Sequence, residues 1–302
     1  MESLRHVFGF ATVVLAASLA PAADVDPRLP ADTEVVVSVN LSQLFNSPLG
    51  AKYLRTVIDE ALKQNPQGQE VLTYIGLDPV HDITQMTLAM TSAKNKDGLV
   101  IVRGKFNRAK IGDLAEKVAA EQKDKLAIRK DGAATVYEIA GEQKMFATFP
   151  DDSTLLLSKD RARFSSPAGK PKPEISSLIA KADGKQAIWF VASPDATGEI
   201  KNLESVDGII GVIKVESSVR LELALNCKTA QSAVATSTYV NELLGLAKSL
   251  IPQAVKDKPE LSPLLEVINS IRASAREKLA VVTAEVSAEQ IEKAIKSYRA
   301  DK

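Results

Sequence analysis

Two stretches of the chain, residues 97–122 and 218–251, share one pattern, in which an alternating apolar strand runs directly into an amphipathic helix. The strand residues that share a face are Val100, Val102 and Phe106 in the first stretch, and Val219, Leu221, Leu223, Leu225 and Cys227 in the second. The helix residues on one side are Ile111, Leu114, Ala115 and Val118, then Ala233, Val240, Leu244 and Ala247. A two-residue period followed by a 3.6-residue period predicts a strand covered by the next helix. The separation of about 120 residues between the stretches indicates an internal repeat.

Reduced to element types, each half of the chain follows the order β-α-β-β-α-β, which is that of the split βαβ or ferredoxin-like unit. The first half adds four short apolar runs between turn signals, and these predict an antiparallel meander over residues 126–159. We therefore expect an α+β fold of two ferredoxin-like units with a β-meander extension, whose helices pack on a mostly antiparallel sheet. The pattern leaves open whether the two units share one sheet.

The N-terminal residues 1–22 have the parts of a secretory signal peptide. Arg5 precedes an apolar run at residues 7–17, and Ala20-Pro21-Ala22 places small residues at the cleavage position. The run is too short to cross a bilayer comfortably. We therefore expect a periplasmic or secreted protein with no stable membrane anchor after cleavage. The alternative is a buried N-terminal helix.

The remaining chain is predicted to have two halves and a connection between them. Residues 24–160 form the first α+β half with its meander, residues 161–184 form a linker and a short helix, and residues 185–302 form the second half. The linker assignment rests on the proline, glycine and lysine residues between positions 167 and 173, which are typical of an exposed connection.

The charge balance limits the classes of partner. The chain has 38 basic and 38 acidic residues, and removal of the signal peptide takes away one of each, so the mature protein is neutral. It therefore lacks the overall positive field that attracts nucleic acid or anionic lipid. The eight Phe, five Tyr and one Trp of the full chain are too scattered for a platform that stacks nucleic-acid bases. The expected partner is an unknown protein or a cell-envelope component.

Few residues of the mature chain suit catalysis. His81 is its one histidine and Cys227 its one cysteine, so a zinc or iron site built from these two residue types is excluded by ligand supply. His81 is expected in a surface turn, with a catalytic pair to Asp82 as the alternative. Cys227 continues the inward face of its strand and is expected to be a buried small hydrophobe, with a catalytic thiol as the alternative. No G-x-S-x-G, H-E-x-x-H or P-loop motif is present, and we expect no cofactor.

Other polar motifs have simpler explanations. Asp151-Asp152 suits a hairpin turn, although an acidic pair could instead bind calcium if further oxygen ligands lay nearby. Asn40-Leu41-Ser42 matches the short glycosylation pattern. In residues 166–170 the serine and lysine are one residue too far apart for an S-x-x-K motif.

The signal peptide, the entry Leu29-Pro30-Ala31-Asp32-Thr33 into a valine-rich strand, Gly76-Leu77-Asp78-Pro79 followed by Ile83, and the duplicated plan together resemble exported bacterial proteins of unknown function. The likeness covers most of the mature chain, and its motifs are structural. It carries over no catalytic residue, and the family implies no established activity.

The sequence thus favours a non-catalytic exported protein that acts through binding or structural contacts. One alternative is a carrier of an apolar ligand such as lipid, because residues 229–251 have a wide apolar surface. Burial of that whole surface by the sheet and by a helix at residues 264–271 would remove the reason for a carrier. The other alternative is a cell-envelope or polysaccharide hydrolase, which needs two carboxyl groups facing a cleft.

Overall fold

The computed structural model describes residues 23–91, 98–132, 134–165, 171–197, 205–257 and 262–300. The strands in this part of the chain are β1 (Val35–Asn40), β2 (Ile83–Met90), β3 (Gly98–Gly104), β4 (Leu126–Asp131), β5 (Ala134–Ile139), β6 (Met145–Asp151), β7 (Thr154–Ser158), β8 (Ile188–Ala192), β9 (Val206–Val215), β10 (Ser218–Cys227), β11 (Arg272–Arg276) and β12 (Leu279–Ser287). The helices are α1 (Leu41–Asn46), α2 (Arg55–Gln64), α3 (Pro66–Ile75), α4 (Arg108–Glu121), α5 (Ala162–Ser165), α6 (Pro173–Lys181), α7 (Pro194–Thr197), α8 (Ala230–Asp257), α9 (Ser262–Ser270) and α10 (Ala288–Ala300), and a π-helical turn, Gly50–Leu54, leads into α2.

The twelve strands form one continuous sheet in the order β11-β12-β10-β9-β8-β1-β2-β3-β7-β6-β5-β4. Every pair of neighbouring strands is antiparallel. The predicted α+β class and mostly antiparallel sheet are confirmed. The two ferredoxin-like units are not confirmed, because β1 and β2 are direct antiparallel neighbours, whereas a split βαβ unit places another strand between them.

The two faces of the sheet are covered differently. One face, the arm face, packs against α6 and an extended N-terminal arm of residues 23–33. The buried sheet residues of this face are Val36, Ala89, Leu99, Ile101, Leu156, Trp189, Val191 and Ile210. The opposite face, the helix face, packs against α8 at one end and against α10 and the region around the π-helical turn near the centre. Such double cover fits a sheet whose central strands are apolar on both sides.

The cover of β3 differs from the prediction. Leu99 and Ile101, on the arm face, are each only 1% exposed, while Val102 is buried and Val100 is half-buried on the other face. The expectation that α4 covers β3 is wrong, because α4 packs mainly on β4 and α3. The meander places β4 four positions away from β3 in the sheet, so α4 crosses the meander to reach it. The second prediction, that the following helix covers β10, holds in part. Ala233 of α8 packs with Leu225 of β10, but α8 lies mainly on β11 and β12, the two strands beyond β10 at that edge of the sheet.

Part of the segment predicted to be a linker belongs to the core. Within α6, Ile175 and Ile179 are completely buried and Leu178 is 3% exposed, all in the cluster on the arm face. These apolar side chains are buried against the central strands, and in turn they keep the apolar side chains of those strands from water on this face. Residues 166–170, which hold the serine and lysine of the rejected S-x-x-K match, lie outside the described residues.

Two further differences concern the C-terminal half. The sequence predicts that the helix from Thr229 stops at Pro252, but α8 continues through Pro252 to Asp257. A proline removes one helical hydrogen bond, and Ile251 and Val255 remain partly buried on the same side, so packing continues past it. Strand β11 was not predicted, because its sequence alternates Arg or Ser with Ala and has no large apolar residue.

We expect truncations in β10 to report its register. Leu225 is 5% exposed and packs with Ala233 and Ala280, Leu223 is half-buried beside them, and Glu222 is exposed. Leu225→Ala should therefore cost about 2–5 kcal/mol of unfolding free energy, Leu223→Ala somewhat less, and Glu222→Ala under about 1 kcal/mol. Urea unfolding of the three variants tests this order. A larger loss for Glu222→Ala than for Leu225→Ala would contradict the register.

Candidate functional site

The arm is fixed at both ends against the arm face. At its start, the backbone N–H of Ala23 donates to the carbonyl oxygen of Ala182 at 3.0 Å, and Ala23 is 7% exposed. A methyl group on Gly184 would come within 2.8 Å of the Ala23 Cα, so only glycine allows the arm to lie this close. Further along, Leu29 is 1% exposed. The arm is thus an integral cover of the sheet.

Between these two anchors the arm borders a half-open cavity of about 470 Å³, which we call the arm-covered cavity. Its polar lining comprises Asp24, Asp26, Gln85, Thr87, Arg103 and Lys185. Its apolar lining includes Val25, Leu29, Val36 and Trp189. A concave site of this volume, in which polar groups stand beside an apolar wall, is large enough for a small molecule.

A chain of charged groups joins the arm to the sheet at this cavity. Nη2 of Arg103 donates to Oδ2 of Asp26 at 2.5 Å, and Nη1 of Arg103 donates to the hydroxyl of Thr154 at 2.7 Å. On the arm, Arg28 lies 4.0 Å from Asp26 and donates to Oδ2 of Asp151 at 2.8 Å. The Asp26 and Arg103 side chains are only 18% and 28% exposed, so their pairing is weakly screened by water.

The strands supply a second polar group at the same place. Nε2 of Gln85 donates to the Ser38 hydroxyl at 2.8 Å, and the hydroxyls of Ser38 and Thr87 are 3.3 Å apart. Trp189 pairs with Ser38 across the β1–β8 ladder and contributes an aromatic wall. The site thus offers a guanidinium, an amide and a hydroxyl beside an aromatic ring, all carried on rigid strands.

This arrangement suits binding better than hydrolysis. Asp24 and Asp26 both line the cavity and are the carboxyl groups that the hydrolase alternative would have to use there. However, both oxygens of Asp26 already accept hydrogen bonds, one from the backbone N–H of Arg28 and one from Arg103. A carboxyl group held in this way is poorly placed to protonate a leaving group.

The structure does not assemble a triad around His81. Its Nδ1 lies 2.7 Å from Oδ2 of Asp78, not Asp82, and both side chains are more than half exposed. The hydrogen bond from His81 holds the pKa of Asp78 below its ordinary value. Asp82 accepts from the backbone N–H of Asp78 and lines a shallow groove with Ser153, but His81 does not line that groove. The predicted surface turn is confirmed.

The acidic pair of the β6–β7 hairpin is also structural. Asp151 accepts from both the backbone N–H and the hydroxyl of Ser153, at 2.9 and 2.7 Å. These bonds, with a contribution from Arg28, lower the pKa of Asp151 to about 2. The calcium alternative finds no support, since no group of three or more His, Cys, Asp or Glu residues suited to a metal occurs in the described part of the chain.

Two other candidates have structural roles. Cys227 is 1% exposed among apolar residues, and its sulfur contacts the carbonyl oxygen of Leu225 and the hydroxyl of Thr236 at 3.5 and 3.9 Å. Its predicted burial is confirmed, and these contacts supply no base that would activate a thiol. Asn40 of the glycosylation pattern caps α1, because its side-chain oxygen accepts from the backbone N–H of Gln43.

The second exposed feature of the molecule is the outer side of α8. Leu243, Leu246 and Leu250 are 46%, 60% and 68% exposed, so burial of the whole apolar surface by the sheet and the 264–271 helix does not occur. The described helices include none that is both long enough and apolar enough to cross a membrane. The described residues thus leave this apolar side of α8 exposed at the surface.

Sequence reasoning did not single out Arg103, Asp26 or Gln85. Arg103 and Asp26 lie 77 positions apart, and no short motif connects them. The one usable signal is that β1, β2 and β3 each change from apolar to polar residues on the arm face, as in Val36 to Ser38. These changes fall side by side only after the strand register is known.

Loss of the Asp151 charge should have a pH-dependent effect. Because its pKa is depressed in the folded state, Asp151 stabilises the fold above about pH 4, and this contribution is lost as the pH falls towards 2. Its side chain is 43% exposed, so the effect is limited by solvent screening to about 1 kcal/mol or less. The free-energy gap between the parent and Asp151→Asn, measured by urea unfolding, should shrink over this interval. Asp152→Asn, 83% exposed in the same turn, is the control and should show a smaller gap.

Gly184→Ala should release the arm. The added methyl group would meet the Ala23 backbone, whereas the same change at Gly141 meets no atom closer than 3.6 Å. When the folded protein is digested with trypsin, cleavage after Arg28 should be roughly tenfold faster in Gly184→Ala than in the parent, because local opening of the arm costs less free energy. Mass spectrometry of the fragments measures the rate, and Gly141→Ala is the matched control. Equal rates in all three proteins would show that the arm does not depend on this contact.

Comparisons of the chain with protein-family models, with curated proteins and with solved structures find no match. Two features of the described residues bear on function, namely the arm-covered cavity and the exposed side of α8.

Proposed function

We propose that this chain is a non-catalytic exported protein that binds a small anionic ligand in the arm-covered cavity. The observation that carries the proposal is the Arg103 guanidinium, which faces the cavity and is paired with a carboxylate of the arm. Export is supported by the signal-peptide pattern of residues 1–22. Arginine suits this role because its planar guanidinium binds carboxylate or phosphate oxygens in pairs.

The rest of the lining defines what such a ligand would look like. Gln85 and Thr87 offer hydrogen bonds next to Arg103, and Lys185 adds a second positive group at the rim. Trp189 and Val36 provide an apolar wall for the body of the ligand. A volume of about 470 Å³ suits a small organic acid or a phosphate ester rather than a polymer.

The arm gives the site a means of opening. Asp26 is on the arm, and its carboxylate occupies the position that an anionic group of the ligand would take on Arg103. A ligand carboxylate or phosphate that replaces Asp26 would preserve the charge pairing of Arg103 while freeing this part of the arm. Exchange of one anion for another costs little electrostatic energy, because the guanidinium is never left buried and unpaired.

The alternatives fit the site less well. A carrier of a purely apolar ligand would place hydrocarbon against Asp26, Gln85 and Arg103, and burying polar groups against hydrocarbon is unfavourable. A hydrolase would need a free carboxyl pair, and the oxygens of Asp26 are engaged by the protein. Binding therefore remains the function that the lining supports best.

Trp189 makes the proposal directly testable, because it is the single tryptophan of the chain and lines the cavity. Titration of the mature protein with a panel of small carboxylates and phosphate esters should change its fluorescence for at least one compound. Arg103→Gln should abolish the response, and Asp26→Asn should strengthen binding by about tenfold because it removes the competing carboxylate.

The two variants should change the affinity in opposite directions, which distinguishes an effect on binding from a general loss of stability. General destabilisation would weaken the response of Arg103→Gln and Asp26→Asn alike. Arg129→Gln, which breaks an exposed ion pair with Glu138, is the control and should leave the titration unchanged. No response to any anion of the panel, or equal responses of the parent and Arg103→Gln, would overturn the proposal.

A further inference from the structure

The first residue of the arm lies at the wall of the arm-covered cavity. Ala23 is 7% exposed and lines the cavity together with Gly184. Its main-chain nitrogen donates to the carbonyl oxygen of Ala182 at 3.0 Å. The same nitrogen would lie 3.4 Å from a methyl carbon placed on Gly184. A charge on this nitrogen would therefore act at the cavity, where water screens it weakly.

The same residue is the first one after the expected signal peptide. Ala20-Pro21-Ala22 places small residues at the cleavage position, so cleavage after Ala22 makes Ala23 the N-terminus. Hydrolysis of that peptide bond adds water and leaves a carboxylate on Ala22 and a primary amine on Ala23. An α-amino group is mostly protonated at pH 7, so the nitrogen then carries a positive charge and three N–H groups in place of one.

This charge changes the balance of the cavity lining. The ionisable residues that line the cavity are Asp24 and Asp26, which are negative, and Arg103 and Lys185, which are positive. Two negative and two positive side chains cancel in the uncleaved chain. The ammonium group on Ala23 adds one positive charge, so removal of the signal peptide turns a balanced cavity into a positive one.

We propose that removal of the signal peptide completes the anion-binding site, and that the α-ammonium group of Ala23 binds the ligand together with Arg103. The inference rests on the proposed binding of a small anion in this cavity. Arg103 is paired with Asp26 of the arm, so these two groups together offer no net positive charge. The ammonium group supplies the charge that the ligand neutralises.

The described acidic residues of the cavity compensate this ammonium group only weakly. Asp24 adjoins it in the chain but is exposed, so water screens their attraction. Asp26 already accepts hydrogen bonds from Arg103 and from the backbone of Arg28. Ala182 offers a neutral carbonyl oxygen, and a buried charge paired only with a neutral group is unfavourable. An anion in the cavity therefore gives the ammonium group a partner of opposite charge.

The N-terminus itself is measured first. The protein is exported by a bacterial host with its own signal peptide, and intact-mass spectrometry should show a mature chain that begins at Ala23. A mature chain that begins at any other residue would contradict the proposal, because its ammonium group would lie at a different point of the arm.

Two forms made without the signal peptide test the role of the charge. One begins at Ala23, and the other has Gly-Ser-Gly before Ala23, which keeps the net charge but lets the ammonium group move by up to about 10 Å. At constant ionic strength, the form that begins at Ala23 should bind inorganic phosphate or succinate at least about tenfold more tightly, as measured by Trp189 fluorescence. Enzymatic N-terminal acetylation of this form removes the charge in place and should cause the same loss.

Tryptic cleavage after Arg28 is the control for the arm, since equal rates in the three forms show that the arm stays in place. Equal affinities of the three forms would overturn this inference and leave the anion site itself intact. Weaker binding accompanied by faster cleavage would assign the loss to release of the arm, which also contradicts the inference. No response of any form to either probe would overturn it as well, and no response across the whole panel of anions would remove the site itself.

Discussion

The pairing of β1 with β8 is the interaction on which the rest of the structure depends. These strands join the two halves of the chain in the middle of the sheet, and Val36 and Val191, which face each other across the pair, are both completely buried. Backbone hydrogen bonds at this position are satisfied within the sheet, but the side chains on both faces must be kept from water. The arm and α6 provide that cover on one face, and α10 and the π-helical turn contribute it on the other.

The arm-covered cavity lies where the side chains on the arm face change from apolar to polar. Near Val36 the arm face is apolar, and Leu29 of the arm, which is 1% exposed, lies with it at the apolar end of the cavity. Two residues further along the same strand comes Ser38, opposite Thr87 of β2, and at the next level on this face Gln85 of β2 lies opposite Arg103 of β3. Polar side chains that need hydrogen-bond partners resist being packed under apolar cover. The arm therefore spans this region through the Asp26–Arg103 pair and leaves a cavity beneath it.

Local features of the fold were predictable from the sequence because their causes are local. The four meander strands and the β9–β10 hairpin occur where turn residues separate alternating runs. A Ser-x-x-Gln capping box opens α10: the backbone N–H of Gln290 donates to the Ser287 hydroxyl, and the backbone N–H of Ser287 donates to the Gln290 side-chain oxygen. The strand order was not predictable, because a two-residue period shows which side chains share a face but not which strand lies beside them. The candidate site depends on that order, since Asp26 and Arg103 meet only through it.

The arm-covered cavity and the exposed side of α8 are physically separate. The arm-covered cavity lies on the arm face beneath the N-terminal arm, whereas α8 covers β10 to β12 on the helix face near one end of the sheet. A contact through the exposed side of α8 consequently involves no residue that lines the cavity. Coupling between the sites would require an element with two arrangements that both sites bias. The sheet between them is continuous and packed on both faces, so the simplest expectation is that each site acts independently of the other.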